Sequence, residues 1–148
     1  MPHQIAQESK VTRVLAATAA GTTNVNGNTI DMQGYDGVKF IVAFGAIVSG
    51  AITSVKVQQG NNSNMSDAAD LAASNVNVLD TDDNKLAIID VYRPQKRYVR
   101  CVVVRGTQNA TIDSATAHQY NPRVKPTTAD SSTVIGTKIL QSPAEGTA

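Results

Sequence analysis

The stretch "YRPQKRYVR" at residues 92–100 sets Arg93, Lys96, Arg97 and Arg100 among two rings, Tyr92 and Tyr98. Cations interleaved with aromatic rings can hold nucleic acid through phosphates and stacked bases, or can dock an acidic protein surface. Other chemistry-bearing groups are sparse. His118 has no partner motif around it, its expected same-face neighbours being Ile112 and Tyr120, and His3 lies in the first few residues. Cys101 is the one cysteine, so no intramolecular disulfide is possible. Its place in an apolar run puts it on a core face, where a thiol behaves as a small inert hydrophobe. The segment "DTDDN" aligns Asp80, Asp82 and Asn84 with the first, third and fifth positions of a calcium loop. Lys85 then stands where the turn glycine belongs and Val91 where the bidentate glutamate belongs, so the segment reads as a turn. No phosphate loop, nucleophile elbow or zinc pair occurs. The residues point to no catalytic group, no cofactor and no metal.

Charge decides between the two readings of 92–100. Thirteen Lys and Arg face twelve Asp and Glu, a net charge of +1. A protein held to phosphates carries a clear positive excess, so nucleic acid is not the expected partner. Asp67, Asp70, Asp80, Asp82, Asp83 and Asp90 precede the basic run, whereas 92–105 holds Arg93, Lys96, Arg97, Arg100 and Arg105 with no acid. Opposite blocks of this kind suit contact between copies, or with a larger protein surface.

The elements that must position these groups read as strands. In 37–50, Val38, Phe40, Val42 and Phe44 share one face while Ile41 and Ala43 occupy the other, as in a central strand covered on both sides. Thr53, Val55 and Val57 alternate with Ser54, Lys56 and Gln58, and Gly50 marks a hairpin turn between the two runs. Val76 and Val78 mark a short strand. Residues 85–92 and 98–105 form a hairpin with Pro94 in its connection, since proline cannot donate to a ladder. Ala87, Ile89 and Val91 then share a face with Val99, Cys101 and Val103, Arg100 points away, and the other cations decorate the tip. Asn26-Gly27 is a further hairpin signal, and 109–120 is another strand. Only 65–73 looks helical, with Ser66 as N-cap. The total is about eight strands in an all-β fold, an antiparallel β-sandwich or jelly-roll over 11–120. With no Trp and only Phe40 and Phe44, its core of Val, Ile and Ala is thin, and assembly is expected to supply part of its stability.

The ends differ from this domain. Residues 1–10 show no pattern and form an N-terminal arm. Residues 121–148 carry Pro122, Pro126 and Pro143, many Ser and Thr, and one apolar-bearing run with Val134, Ile135, Ile139 and Leu140. Such a segment is either disordered or an extended C-terminal arm that orders on a neighbour. The apolar run after Arg13 is only four residues, too short for a secretory core. No stretch approaches the ~20 apolar residues of a membrane span, so no membrane partner is expected.

"NTIDMQGYDGVKFIVAFGAIVSGAITSVKVQQ", "DNKLAIIDVYRPQKRYVRCVVVRGTQNA" and the closing "SPAEGTA" resemble a group of small proteins encoded in tailed-phage head gene clusters. The resemblance spans about 11–148 and lies in overall pattern. It implies a capsid decoration, or cement, protein that binds the outside of the shell as a small oligomer and clamps neighbouring major capsid subunits. The expected partners are then the major capsid protein and the chain itself, with a dimer preferred over a trimer. Assembly in a host cytoplasm and residence on the outer capsid surface follow. The family offers no motif for contact residues, so Arg93, Lys96, Arg97, Arg100, Val134, Ile135, Ile139 and Leu140 are interface expectations from the residues alone. A head–tail joining or tail component, and a carbohydrate- or host-surface-binding module, are the alternatives. The lack of Trp weakens the last.

Overall fold

Period-two alternation becomes two antiparallel sheets packed face to face. A computed structural model describes residues 4–148, so His3 and the first residues of the expected N-terminal arm lie outside the described residues. In chain order the elements are α1 (Ile5–Glu8), β1 (Ser9–Leu15), β2 (Thr18–Gly21), β3 (Val25–Asn26), β4 (Ile30–Asp31), β5 (Gly37–Ile47) and β6 (Ile52–Gly60). There follow β7 (Ala69–Asp70), β8 (Val76–Val78), β9 (Leu86–Tyr92), β10 (Tyr98–Gly106) and β11 (Ala110–Tyr120). Sheet A runs β1-β11-β5-β9, with β2 continuing β1 along β11; sheet B runs β3-β10-β6-β7, with β4 and β8 continuing its two edges. Counting each broken edge strand once gives eight strands, in the orders 1-8-3-6 and 2-7-4-5. That is the wrapping of a jelly-roll sandwich.

Three expected hairpins are instead crossings or breaks. β5 pairs with β11 and β9, whereas β6 pairs with β10, β7 and β8. The turn at Gly50, with its φ of +87°, therefore carries the chain from sheet A to sheet B. β9 and β10 also lie in different sheets. Ala87 and Ile89 do face Val99, Cys101 and Val103, but across the core rather than along one sheet. Alternation reports which way a side chain points; it does not report which strand lies alongside. Finally, β3 and β4 run the same way along β10, so Asn26-Gly27 interrupts one edge strand. A Cβ on Gly27 would sit 2.8 Å from the Cys101 sulfur, and the Gly27 N–H donates to the Cys101 carbonyl at 2.8 Å. The glycine serves close approach, not a turn.

Residues 65–73 are not helical. Asp67 turns its carboxylate onto the Asn61 and Asn62 N–H groups at 2.8 and 3.1 Å, and Ala69–Asp70 joins sheet B. Local hydrogen bonds of Asp and Asn outcompete a short, weakly apolar helix. The helix that does form, α1, falls in the segment that shows no pattern in the sequence.

The core lies between the sheets. Phe40, Phe44, Val38, Val42, Ile112, Ala115 and Ala117 meet Val55, Val57, Val99, Cys101 and Val103. Each fully buried Val or Phe contributes roughly 1.5–3 kcal/mol. β5 is central, but Ile41 and Ala43 on its outer face are only half-buried, so the sheet is covered on one side. A register shift in β11 between Ile112 and Ser114 changes the alternation, so that Ala115, Ala117 and Gln119 point inward after Ile112. His118 consequently shares its outer face with Tyr120 and not with Ile112. Residues 121–148 contain no strand or helix.

Candidate functional site

At one end of the sandwich the β4–β5 connection, the β9–β10 connection and the chain leaving β11 converge. Pro94 keeps the second of these out of either ladder, and Arg93 adopts a left-handed φ of 51° to turn it. The Arg93 N–H donates to the Asp36 carbonyl at 2.7 Å, Met32 N–H to Arg97 at 2.8 Å, and Arg123 N–H to Gly34 at 2.9 Å. These bonds build an open groove of about 430 Å³ whose walls include Arg93, Lys96, Arg97, Arg123, Tyr35 and Asp36.

The cations in it are not equivalent. Arg97 donates through Nε and Nη2 to both oxygens of Asp31 at 2.9 and 2.8 Å, and to the Gln33 side chain at 2.6 Å. That bidentate bond holds the Asp31 carboxyl below its ordinary range. Arg97 also lies over Tyr98, and Arg93 over Tyr92, each 5.1 Å from the ring centre. Arg123 pairs with Asp36 at 3.1 Å. Among the described residues Arg93 has no carboxylate partner within bonding distance, so it and Lys96 carry the charge that remains available. All four tyrosines, Tyr35, Tyr92, Tyr98 and Tyr120, stand at or beside this end.

Arg100 is elsewhere, on the outer face of sheet B. It donates to Gln58 at 2.9 Å, and Gln58 donates to Asp70 at 2.8 Å, which also pairs with Lys56 at 2.9 Å. Arg105 is buried. Its guanidinium donates to the carbonyls of Thr23, Ala19 and Ala110 at 2.8, 2.9 and 2.7 Å, tying β2 and the β2–β3 loop to the end of the sandwich away from the groove. The basic block therefore divides into a groove, a surface ladder and a structural staple. Much of the acidic block is satisfied within the same chain.

The four apolar tail residues do not form one anchor. Val134 and Ile139 line a groove of about 480 Å³ with the N-terminal segment. Ile135 is fully exposed, and the Leu140 carbonyl accepts from Gln4 Nε2 at 2.7 Å while its side chain faces outward.

A second polar cluster has no signal in the sequence, because strand register alone assembles it. Lys39, Asp90, His118 and Tyr120 line a depression of about 400 Å³ on the outer face of sheet A. Tyr120 donates to Asp90 at 2.6 Å, and burial together with that carboxylate pushes its hydroxyl up to about 12. Its ring lies where a Cβ on the paired Gly37 would be. Burial, then Lys39, lowers His118, which shares a hydrogen bond of 3.2 Å with Thr116. Cys101 is buried and its thiol is pushed up to about 12 by desolvation, the environment of an inert sulfur.

Asp80, Asp82 and Asp83 turn their oxygens onto the Gly50, Leu79 and Ile47 N–H groups at 2.7, 2.9 and 2.6 Å. Among the described residues no three His, Cys, Asp or Glu gather as a metal site. No helix of the described residues is long and apolar enough to cross a membrane. No protein-family model matches the chain, and no curated protein matches it either.

Proposed function

We propose that this chain is a structural virion protein that decorates the outside of a phage head and clamps neighbouring major capsid subunits. The observation that carries the reading is the division of labour in the chain. A closed sandwich ends at Tyr120, and 28 residues continue beyond it without a strand, exposing Ile135 and Leu140. An arm of that length reaches about 90 Å when extended at ~3.3 Å per residue, enough to cross a subunit boundary. The sequence resemblance points the same way. The groove with Arg93 and Lys96 supplies orienting charge for docking on an acidic protein surface. Self-association, with a dimer preferred over a trimer, is part of the proposal.

The fold does not choose among functions, since jelly-rolls serve capsids and lectins alike. Tyr35 in the groove, with Tyr92, Tyr98 and Tyr120 beside that end of the sandwich, is what favours the host-surface alternative, and binding on a glycan array would support it. The decisive comparison uses capsids prepared without the protein. Full-length chain should bind them and raise their resistance to heat, while a chain ending at Tyr120 should keep its fold and bind far more weakly. Equal binding by both would remove the arm from the proposal, and no binding by either would end it.

A further inference from the structure

The two edges of sheet A are unlike. On the β1 side the tail lies against the N-terminal segment: Thr127 donates its N–H to Gln7 at 3.0 Å and its hydroxyl to Ser9 at 2.6 Å. On the far side, among the described residues, β9 pairs with β5 alone. Leu86, Ile88 and Tyr92 on its outer row are 61%, 53% and 57% exposed, with Asp90 between the last two. Residues 71–76 and 88–92 wall a groove of about 450 Å³ along this edge. β9 has no proline, lysine or bulge, its register with β5 runs without a shift, and its one edge charge is Asp90. An apolar edge with a single charge is a template for an added strand that brings the opposite charge.

One segment of this chain has the matching pattern. In extended form Val134, Gly136, Lys138 and Leu140 share a face, and Ile135, Thr137 and Ile139 the other. We propose that residues 136–140 of one copy add antiparallel to β9 of a second copy, with Lys138 opposite Asp90. That register sets Leu140 opposite Ile88 and Gly136 opposite Tyr92, repeating on the open edge the pairing of Gly37 with Tyr92 on the closed one. Ile139 and Thr137 then continue the inner row beside Ile89 and Val91, towards the partly buried Leu71 and Val76. A slip of one residue would turn Lys138 inward, and a slip of two would separate it from Asp90, so charge selects the register. The occupant is a second copy because within its own chain this segment lies on the opposite edge, where Leu140 accepts from Gln4 and Val134 and Ile139 line the groove against the N-terminal segment. Reciprocal exchange of two tails closes a two-fold dimer.

The inference rests on the self-association part of the proposed function and not on the capsid. It is tested with isolated full-length protein, so its failure leaves capsid binding to be judged on particles. Molar mass by light scattering across the micromolar range should exceed one chain for the wild type. Asp90→Lys and Lys138→Asp should each weaken association by about tenfold, since like charges replace opposite ones at two symmetric contacts. Lys138 lies in the tail, so its variant should keep the wild-type melting temperature. Mixing the two variants should restore association, because each tail then meets an opposite charge on the other protein's edge. A single-chain mass for the wild type at high micromolar concentration would overturn the inference. So would a mixture that stays dissociated, or undiminished association of a chain ending at Ser132.

Discussion

The two ends of the sandwich both carry dense charge, and they use it differently. At the end formed by the β5–β6, β8–β9 and β10–β11 connections, Asp82 accepts from Leu79 in its own loop, while Asp80 and Asp83 accept from the Gly50 and Ile47 N–H groups where β5 crosses to β6. The buried Arg105 donates to three backbone carbonyls there. At the opposite end Arg97 is held by Asp31 and Gln33, Arg123 by Asp36, and the Arg93 guanidinium, without a carboxylate partner among the described residues, lies over the Tyr92 ring. The first end uses charge to satisfy the backbone of loops that cross between sheets; the second leaves charge facing solvent. A cluster of like charges in a sequence is thus no guide to an interaction surface until its partners are known.

Substitutions separate the two ends by the size of their effect on folding. Arg105→Ala should cost the most, about 2–4 kcal/mol, because it removes three hydrogen bonds from a buried charged donor and leaves the buried Ala110 carbonyl without it. Chemical denaturation checks this, and a loss below about 1 kcal/mol would show that the carbonyls find other donors. Asp83→Ala should cost about 1–2 kcal/mol by leaving the Ile47 N–H without its acceptor. The smallest effect belongs to the open end, where Arg93→Glu with Lys96→Glu should leave melting unchanged and weaken docking on capsids. A fall in melting as large as that of Arg105→Ala would erase the distinction between the ends.

The open end should also loosen in acid. Arg97 lowers the Asp31 pKa in the folded chain, so the pair stabilises the fold above the unfolded carboxyl value of about 3.9. That contribution is lost as pH falls through the lower folded value. Both groups are partly exposed, which keeps it small. Arg97→Ala should flatten this part of the acid dependence, read as melting temperature between pH 5 and roughly pH 2.5.

Much of the local structure is legible in the chain. The inward rows of β5, β6 and β10 follow from alternation, because a pleated strand sends successive side chains to opposite faces and only one face here meets the core. The inert setting of Cys101 follows from the same row. Where sequence reasoning went astray, the missing information was long-range. Gly50 and "RPQKR" look like hairpin turns, since a turn residue marks where a strand stops and not where the next one docks. Gly27 imitates a turn signal although its role is clearance over Cys101. β1 sets its apolar residues at Val11, Val14 and Leu15, off a strict period of two across a register shift, and β2 is only Thr-Ala-Ala-Gly. Neither shows the alternation that marks a strand, and β11 draws them into the sheet. The basic run 92–100 shows its cations but not that Asp31, more than sixty residues away, holds Arg97.

By itself, then, the sequence determined that this protein is a β-sandwich with a small-residue core, a balanced charge and a C-terminal segment with little apolar content. Those properties are sums over local choices: side-chain branching, period and composition. The tertiary structure alone decided which strands are neighbours, which charges are satisfied within the chain, and which edge of sheet A remains open. Pairing of strands far apart in the chain depends on the competing free energies of whole-chain arrangements, and no local pattern encodes that difference.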